Sequence, residues 1–245
     1  MAIFSSLTME DDARHAIANG IFSAVTSDMP ELIQEHNLPT VNGGSLFRWN
    51  FVNRNVSANL GGRFQTSYVK RGPWKFLILF EQDSGMTFSI MTERNLGRLQ
   101  RRLPDGIHYL ESLVAPNSGY DVVEGQMSLD LGKEPRDQSA IEKLREELLN
   151  EFAGVIKNHI LILFEYDFHR VLSARAVLLT PELGVAYTED WSPFLNKPYE
   201  IKKTSLLEDM KDVDGETLVR LKDKKDEPLS ADLVSLPEEP EIANN

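Results

Sequence analysis

Two strings constrain what this chain can fold into: Leu77-Ile78-Leu79-Phe80-Glu81-Gln82-Asp83 and Leu161-Ile162-Leu163-Phe164-Glu165-Tyr166-Asp167. Each is apolar at every position before its glutamate. A strand made from either one therefore carries apolar side chains on both faces and has to be covered on both. That requirement places the two strings centrally in a sheet with helices around it. Ser84-Gly85 can turn the first strand back into Met86 to Thr92, and the second string is also followed by a turn and a strand that ends in threonine, Thr180 against Thr92. A duplicated strand-turn-strand unit would produce this repetition, and so would convergence of buried strands on Leu, Ile and Phe.

Around the strands the apolar period becomes helical. Ala13, Ala16, Ile17, Ile21, Phe22 and Val25 recur every three or four residues, and Pro30 and Pro39 bracket a short second helix. Leu46 to Leu60 carries Phe47, Phe51 and Val52 before Gly61-Gly62, and Ser139 to Phe152 sets Ile141, Leu144, Leu148, Leu149 and Phe152 on one stripe. A helix over Glu93 to Leu103 turns Leu96, Leu99 and Leu103 inward and Arg94, Arg98, Arg101 and Arg102 to the other side. A third strand lies near Val185 to Thr188. The pattern predicts an α+β fold, a mixed and largely antiparallel central sheet flanked by helices, in one globular domain over residues 1–207. Residues 208–245 form an acidic tail whose three prolines and scarcity of large apolar residues beyond Asp223 predict disorder.

Several function classes lose support. No apolar run approaches membrane-spanning length, and Met1 to Asp12 lacks a basic start followed by an apolar stretch, so a cytoplasmic protein without a membrane is expected. With no cysteine there are no thiolate zinc sites and no cysteine nucleophiles, and His15, His36, His108, His159 and His169 include no pair at helical ligand spacing. Phosphate-loop, dinucleotide-fingerprint and serine-elbow patterns do not occur, and no cofactor is expected.

Charge is distributed unevenly. The formal net charge is −12, and Glu208 to Asn245 holds twelve acidic against five basic residues. From Arg48 to Arg102 the balance reverses, with ten Arg or Lys against Glu81, Asp83 and Glu93. Phe47, Trp49, Phe51, Phe64, Tyr68, Trp74 and Phe76 are interleaved there, a composition that suits stacking platforms with phosphate contacts and equally suits core aromatics beside internally paired arginines. Arg94, Arg98, Arg101 and Arg102 are the candidate surface for nucleic acid or an acidic partner.

Gln126-Met127-Ser128-Leu129-Asp130-Leu131 lies in a glycine- and proline-containing stretch without helical period, so an exposed loop is expected. It resembles the hexapeptide that binds the bacterial sliding clamp. That resemblance implies a polar subsite for Gln126 and an apolar cleft for Met127, Leu129 and Leu131, with Ser128 between. The alternative is a short edge strand or a segment packed over the core. Two catalytic patterns were also weighed. Glu81 with Asp83, and Glu165 with Asp167, fall two apart on strands and so could share a cation. Asp190, Glu200 and Lys202 follow the order of a magnesium-dependent, restriction-type nuclease core, although Pro198 suits a central strand poorly.

Val69-Lys70-Arg71-Gly72-Pro73-Trp74-Lys75-Phe76, Trp49-Asn50-Phe51-Val52-Asn53, His108-Tyr109-Leu110 and Glu189-Asp190-Trp191-Ser192 resemble a bacterial family of unknown function found largely in Firmicutes and their mobile elements. The resemblance spans roughly residues 40 to 195 and implies a bacterial or prophage origin without implying chemistry. Together these features predict a non-enzymatic binding protein of bacterial or prophage DNA transactions or defence that docks on the sliding clamp. A magnesium-dependent nuclease and a protein-interaction module unrelated to DNA are the alternatives. Oligomeric state is left open.

Overall fold

The computed structural model describes residues 4, 6–60, 62–101, 106–122, 136–152 and 154–195. All lie in the first of the two units into which the chain divides, Met1–Glu200 and Ile201–Asn245. The described helices are α1 (Asp11–Ser23), α2 (Met29–Glu35), α3 (Gly44–Asn59), α4 (Glu93–Arg101), α5 (Tyr109–Val114) and α6 (Gln138–Leu149). The strands are β1 (Phe64–Arg71), β2 (Trp74–Glu81), β3 (Met86–Thr92), β4 (Asn158–Asp167), β5 (Arg170–Leu179) and β6 (Val185–Asp190), lying side by side in chain order in one sheet. Every neighbouring pair is antiparallel except β3 and β4, which run parallel from Met86 opposite Asn158 to Thr92 opposite Phe164. The expected α+β fold with a mixed, mostly antiparallel sheet is therefore present.

Strand alternation assigns the core to two faces. Leu77, Leu79, Phe88, Ile160, Ile162 and Ala176 pack with Ile17 and Ile21 of α1 and Val52 and Val56 of α3. On the other face Ile78 and Phe80 meet Leu144 and Leu148 of α6, while Leu161, Leu163 and Val177 meet Leu96 and Leu99 of α4 and Leu110 of α5. The central strands are thus buried on both sides, as their unbroken apolar runs require. The two similar strings nevertheless face opposite ways. Leu77 and Leu79 point to α1 and α3, whereas Leu161 and Leu163 point to α4 and α5. Their likeness does not extend to packing, and the demand for double burial accounts for it without a duplication.

Two local features differ from the expectation. A single wide π turn, Ala24–Asp28, joins α1 to α2, and Pro30, which has no N–H to donate back into the preceding turn, follows it directly. β1 was not legible in the sequence, because it is a polar strand made visible only by pairing along all eight residues with β2. α1 and α3 approach so closely at Gly20 that an added Cβ would lie 2.8 Å from the Val56 nitrogen. Gly85, at φ +72° in the β2–β3 turn, admits no side chain because Val155 O would lie 2.8 Å from it.

A buried polar clamp holds the parallel centre. The 3₁₀ turn Ala115–Asn117 follows α5, and its Asn117 is fully buried. Asn117 Nδ2 donates to His159 O and Leu179 O at 2.8 Å each, while Oδ1 accepts from His159 N at 2.9 Å and from Asn158 Nδ2 at 3.3 Å. The His159 ring lies across the strand pair, with Nδ1 2.9 Å from Thr87 Oγ1 and Nε2 2.9 Å from Ser89 Oγ, both on β3. Burial pushes the His159 pKa down to about 3.

Asn117→Ala strands two carbonyls and an N–H in the core and is expected to destabilise the fold by about 3 kcal/mol, read from urea unfolding. Stability is also expected to fall on acidification. Unfolded His159 binds a proton below about pH 6.5, whereas the folded ring resists protonation down to about 3, so the unfolded state gains protons first. Its contribution is complete above pH 6.5 and is lost progressively as pH falls toward 3, at up to about 1.4 kcal/mol per pH unit. Urea unfolding from pH 7 to 5 should show this slope in the wild type and a shallower one, by up to one proton, in His159→Gln.

Candidate nucleic-acid interface

α4 shows how a basic face is built on an apolar footing. Leu96 and Leu99 bury one side of the helix, which turns Arg94, Arg98 and Arg101, spaced i, i+4 and i+7, onto an exposed stripe. Both ends of the helix are pinned. Glu93 receives two bonds from the Arg175 guanidinium of β5, at 2.5 and 2.9 Å, and Thr92 Oγ1 accepts from Asn95 N at 3.3 Å. Toward the C-terminus Gln100 Nε2 donates to Leu183 O at 2.8 Å. Among the described residues no carboxylate lies within 4 Å of Arg94, Arg98 or Arg101.

The sequence singled out neither Arg71 nor His108 for this face. Arg71 ends β1 and donates to Ile107 O at 3.3 Å, which ties it to the segment leading into α5. His108 caps α5. Its Nδ1 accepts from Leu110 N at 3.2 Å, and its own N–H donates to Glu111 Oε2 at 2.8 Å. Glu111 is buried and paired with Arg136 at 3.0 Å. Because Nδ1 accepts, the proton of the neutral ring sits on Nε2, which is a donor. Burial, and then the charges of Arg71 and Arg98, lower the His108 pKa to about 4. The charges of two guanidiniums on elements distant in sequence thus act on one imidazole. The one local signal was the His-x-x-Glu capping pattern, His108 to Glu111.

Three other arginines of the basic segment go elsewhere. Arg63 pairs with Glu10 and with Glu81 at 2.8 Å each, Arg54 pairs with Asp28 at 2.9 Å, and Arg48 donates to Tyr166 Oη at 2.8 Å. Most of the interleaved aromatics are structural. Phe64 and Phe76 are buried, Trp49 meets Phe164 and Trp74 edge-on, and Phe76 lies on Tyr109. The stacking half of the expected surface is therefore spent largely in the core, and charge is what remains.

The two carboxylate pairs are placed differently. Glu81 is 1% exposed, bound by Arg63 and by Ser84 Oγ at 2.6 Å, while Asp83 is exposed in the turn. Glu165 and Asp167 are both exposed at the end of β4, where the register shift puts its extra residue, Leu172, on β5 and leaves the two carboxylates on one face. Asp190 is exposed and accepts from Ser192 N at 2.9 Å. Hydrogen bonds from the Ser192 side chain and backbone hold its pKa below the usual value, the geometry of a turn. Its expected companions Glu200 and Lys202 lie outside the described residues, as do Arg102 and the hexapeptide Gln126, Met127, Ser128, Leu129 and Leu131. Among the described residues no group of three or more His, Asp or Glu is placed to hold a metal ion, and no helix is long and apolar enough to cross a membrane.

Comparison with known proteins returns no match among curated proteins and none among solved structures. Residues 6–236 match a family of unknown function, DUF5986. Most of the chain is covered, the polar edge strand, the α4 stripe and the His108 cap included, and the protein belongs to this family.

Proposed function

We propose that the protein binds the phosphate backbone of nucleic acid through Arg94, Arg98 and Arg101 of α4, with the His108 Nε2–H near them. The observation that carries this reading is the exposed arginine stripe that recruits no carboxylate although the chain has a net charge of −12. Like charges held together on a pinned helix repel one another, and a polyanion relieves that repulsion while releasing its counterions. With most of the aromatics in the core, base stacking contributes little, so recognition is of the backbone, tolerant of sequence and steeply dependent on salt. Three or four phosphate contacts correspond to a slope of about −3 in log affinity against log salt. Clamp docking by Gln126 to Leu131 would add a protein anchor in the same DNA transactions.

Fluorescence anisotropy of a labelled duplex at low salt tests the reading. Wild type is expected to bind, and Arg94→Glu with Arg98→Glu to weaken binding at least about tenfold and to make the salt slope shallower by about two. The thermal midpoint should not move, because both side chains are exposed. Equal affinities, or no binding by the wild type at low salt, would overturn it.

A further inference from the structure

The two edges of the sheet are finished differently. β6 is short and meets β5 across a register shift between Leu178 and Leu179, and its Tyr187 packs against Phe4. β1 pairs with β2 along its whole length in unbroken register, contains no proline, and among the described residues has no strand along its other side. A regular, open edge of this length is a template for another strand, and natural sheets usually blunt such edges. Tyr68, in the middle of β1, is 50% exposed. Next to it a groove of about 300 Å³ runs between β1 and α6, with Glu147 of the helix and Glu151 just beyond its end on one wall and Arg71 at the end of the strand.

We infer that β1 pairs antiparallel with β1 of a second copy of this chain, about a two-fold axis at Tyr68, so that one sheet continues through both copies. The register follows from the faces. Ser67, Val69 and Arg71 point to the α6 side and Tyr68 to the α3 side, where its hydroxyl lies 2.8 Å from Ser57 Oγ. A two-fold axis normal to the sheet keeps each face on its own side, so residues of like parity must oppose. Centring on Ser67 would carry Arg71 past the end of the other copy's β1, which begins at Phe64, and away from its Glu151. Centring on Tyr68 sets tyrosine against tyrosine, Ser67 against Val69 and Gln65 against Arg71. Arg71 of each copy then lies diagonal to Ser67, whose hydroxyl donates to Glu151.

Charge complementarity identifies the occupant. Neither Glu147 nor Glu151 has a cation within 4 Å among the described residues, and the strand that needs a neighbour ends in Lys70 and Arg71. One groove carries both halves of an ion pair, and a two-fold axis brings them together twice. The pairing does not rest on the nucleic-acid reading. It leaves the α4 layers of both copies on one side of the shared sheet.

Sedimentation equilibrium across roughly 1 to 100 micromolar protein, a span that brackets a micromolar interface, tests the inference without nucleic acid. Wild type is expected at about twice the 27.8 kDa of the chain, and Tyr68→Glu at the monomer mass, its dissociation constant raised at least about tenfold. Glu147→Lys with Glu151→Lys, both exposed, one on α6 and one just beyond its end, is the second variant should Tyr68→Glu fold poorly, and it should dissociate likewise. Hydrogen exchange should show the β1 amides protected in the dimer. A monomeric wild type throughout, a dimer unmoved by a folded variant, or a dimer with unprotected β1 amides would each overturn the proposal.

Discussion

The parallel register of β3 and β4 is the constraint on which the rest of the structure depends. Parallel neighbours cannot be joined by a tight turn, so the chain between Thr92 and Asn158 must cross back over one face of the sheet. That crossing carries α4, α5 and α6, and it fixes which face they cover. Asn117 and His159, both fully buried, hold the register. The amide satisfies backbone groups on β4 and β5, and the imidazole lies between two hydroxyls of β3. A slip of one residue would move His159 to the opposite face and leave these polar groups buried without partners, a cost of several kcal/mol. The position of the α4 arginines follows from this clamp, because the helix is seated on the same face of the same strand pair.

Two kinds of positive charge coexist in the fold, and their surroundings separate them. Arg63 neutralises the nearly buried Glu81, and Arg175 holds the first turn of α4 through Glu93. The charged forms of both guanidiniums are favoured by these carboxylates, so both are structural. Arg94, Arg98 and Arg101 stand on a rigid helix without such partners. A pinned basic stripe on an acidic protein directs the approach of a polyanion to one face while the rest of the surface repels it.

The sequence disclosed the fold far better than the site. Leu77 to Phe80 and Leu161 to Phe164 announce doubly buried strands because every position is apolar, and the leucines of α4 define its inner face. β1 escaped notice because Gln65, Thr66, Ser67 and Tyr68 have neither alternation nor an apolar run. Its strand conformation comes from pairing with β2, which is a tertiary fact. The partition of the basic segment was equally hidden. Nothing local distinguishes Arg63, which reaches a buried glutamate, from Arg71, which reaches the segment before α5. The aromatics among those arginines looked like a stacking surface, yet most were core, since composition does not record direction.

The central claim is that phosphate arrives on the α4 stripe, close enough to His108 for its charge to act on the ring. The His108 imidazole is a reporter already in place, because burial and the two guanidiniums hold its pKa near 4 in the protein alone. An NMR pH titration of that ring, with and without a short DNA duplex at low salt, is the most direct test. A phosphate beside the ring favours the imidazolium, and the account predicts an upward shift of at least about one unit. Duplex binding that leaves the His108 titration where it was would place the backbone elsewhere on the molecule and contradict the account.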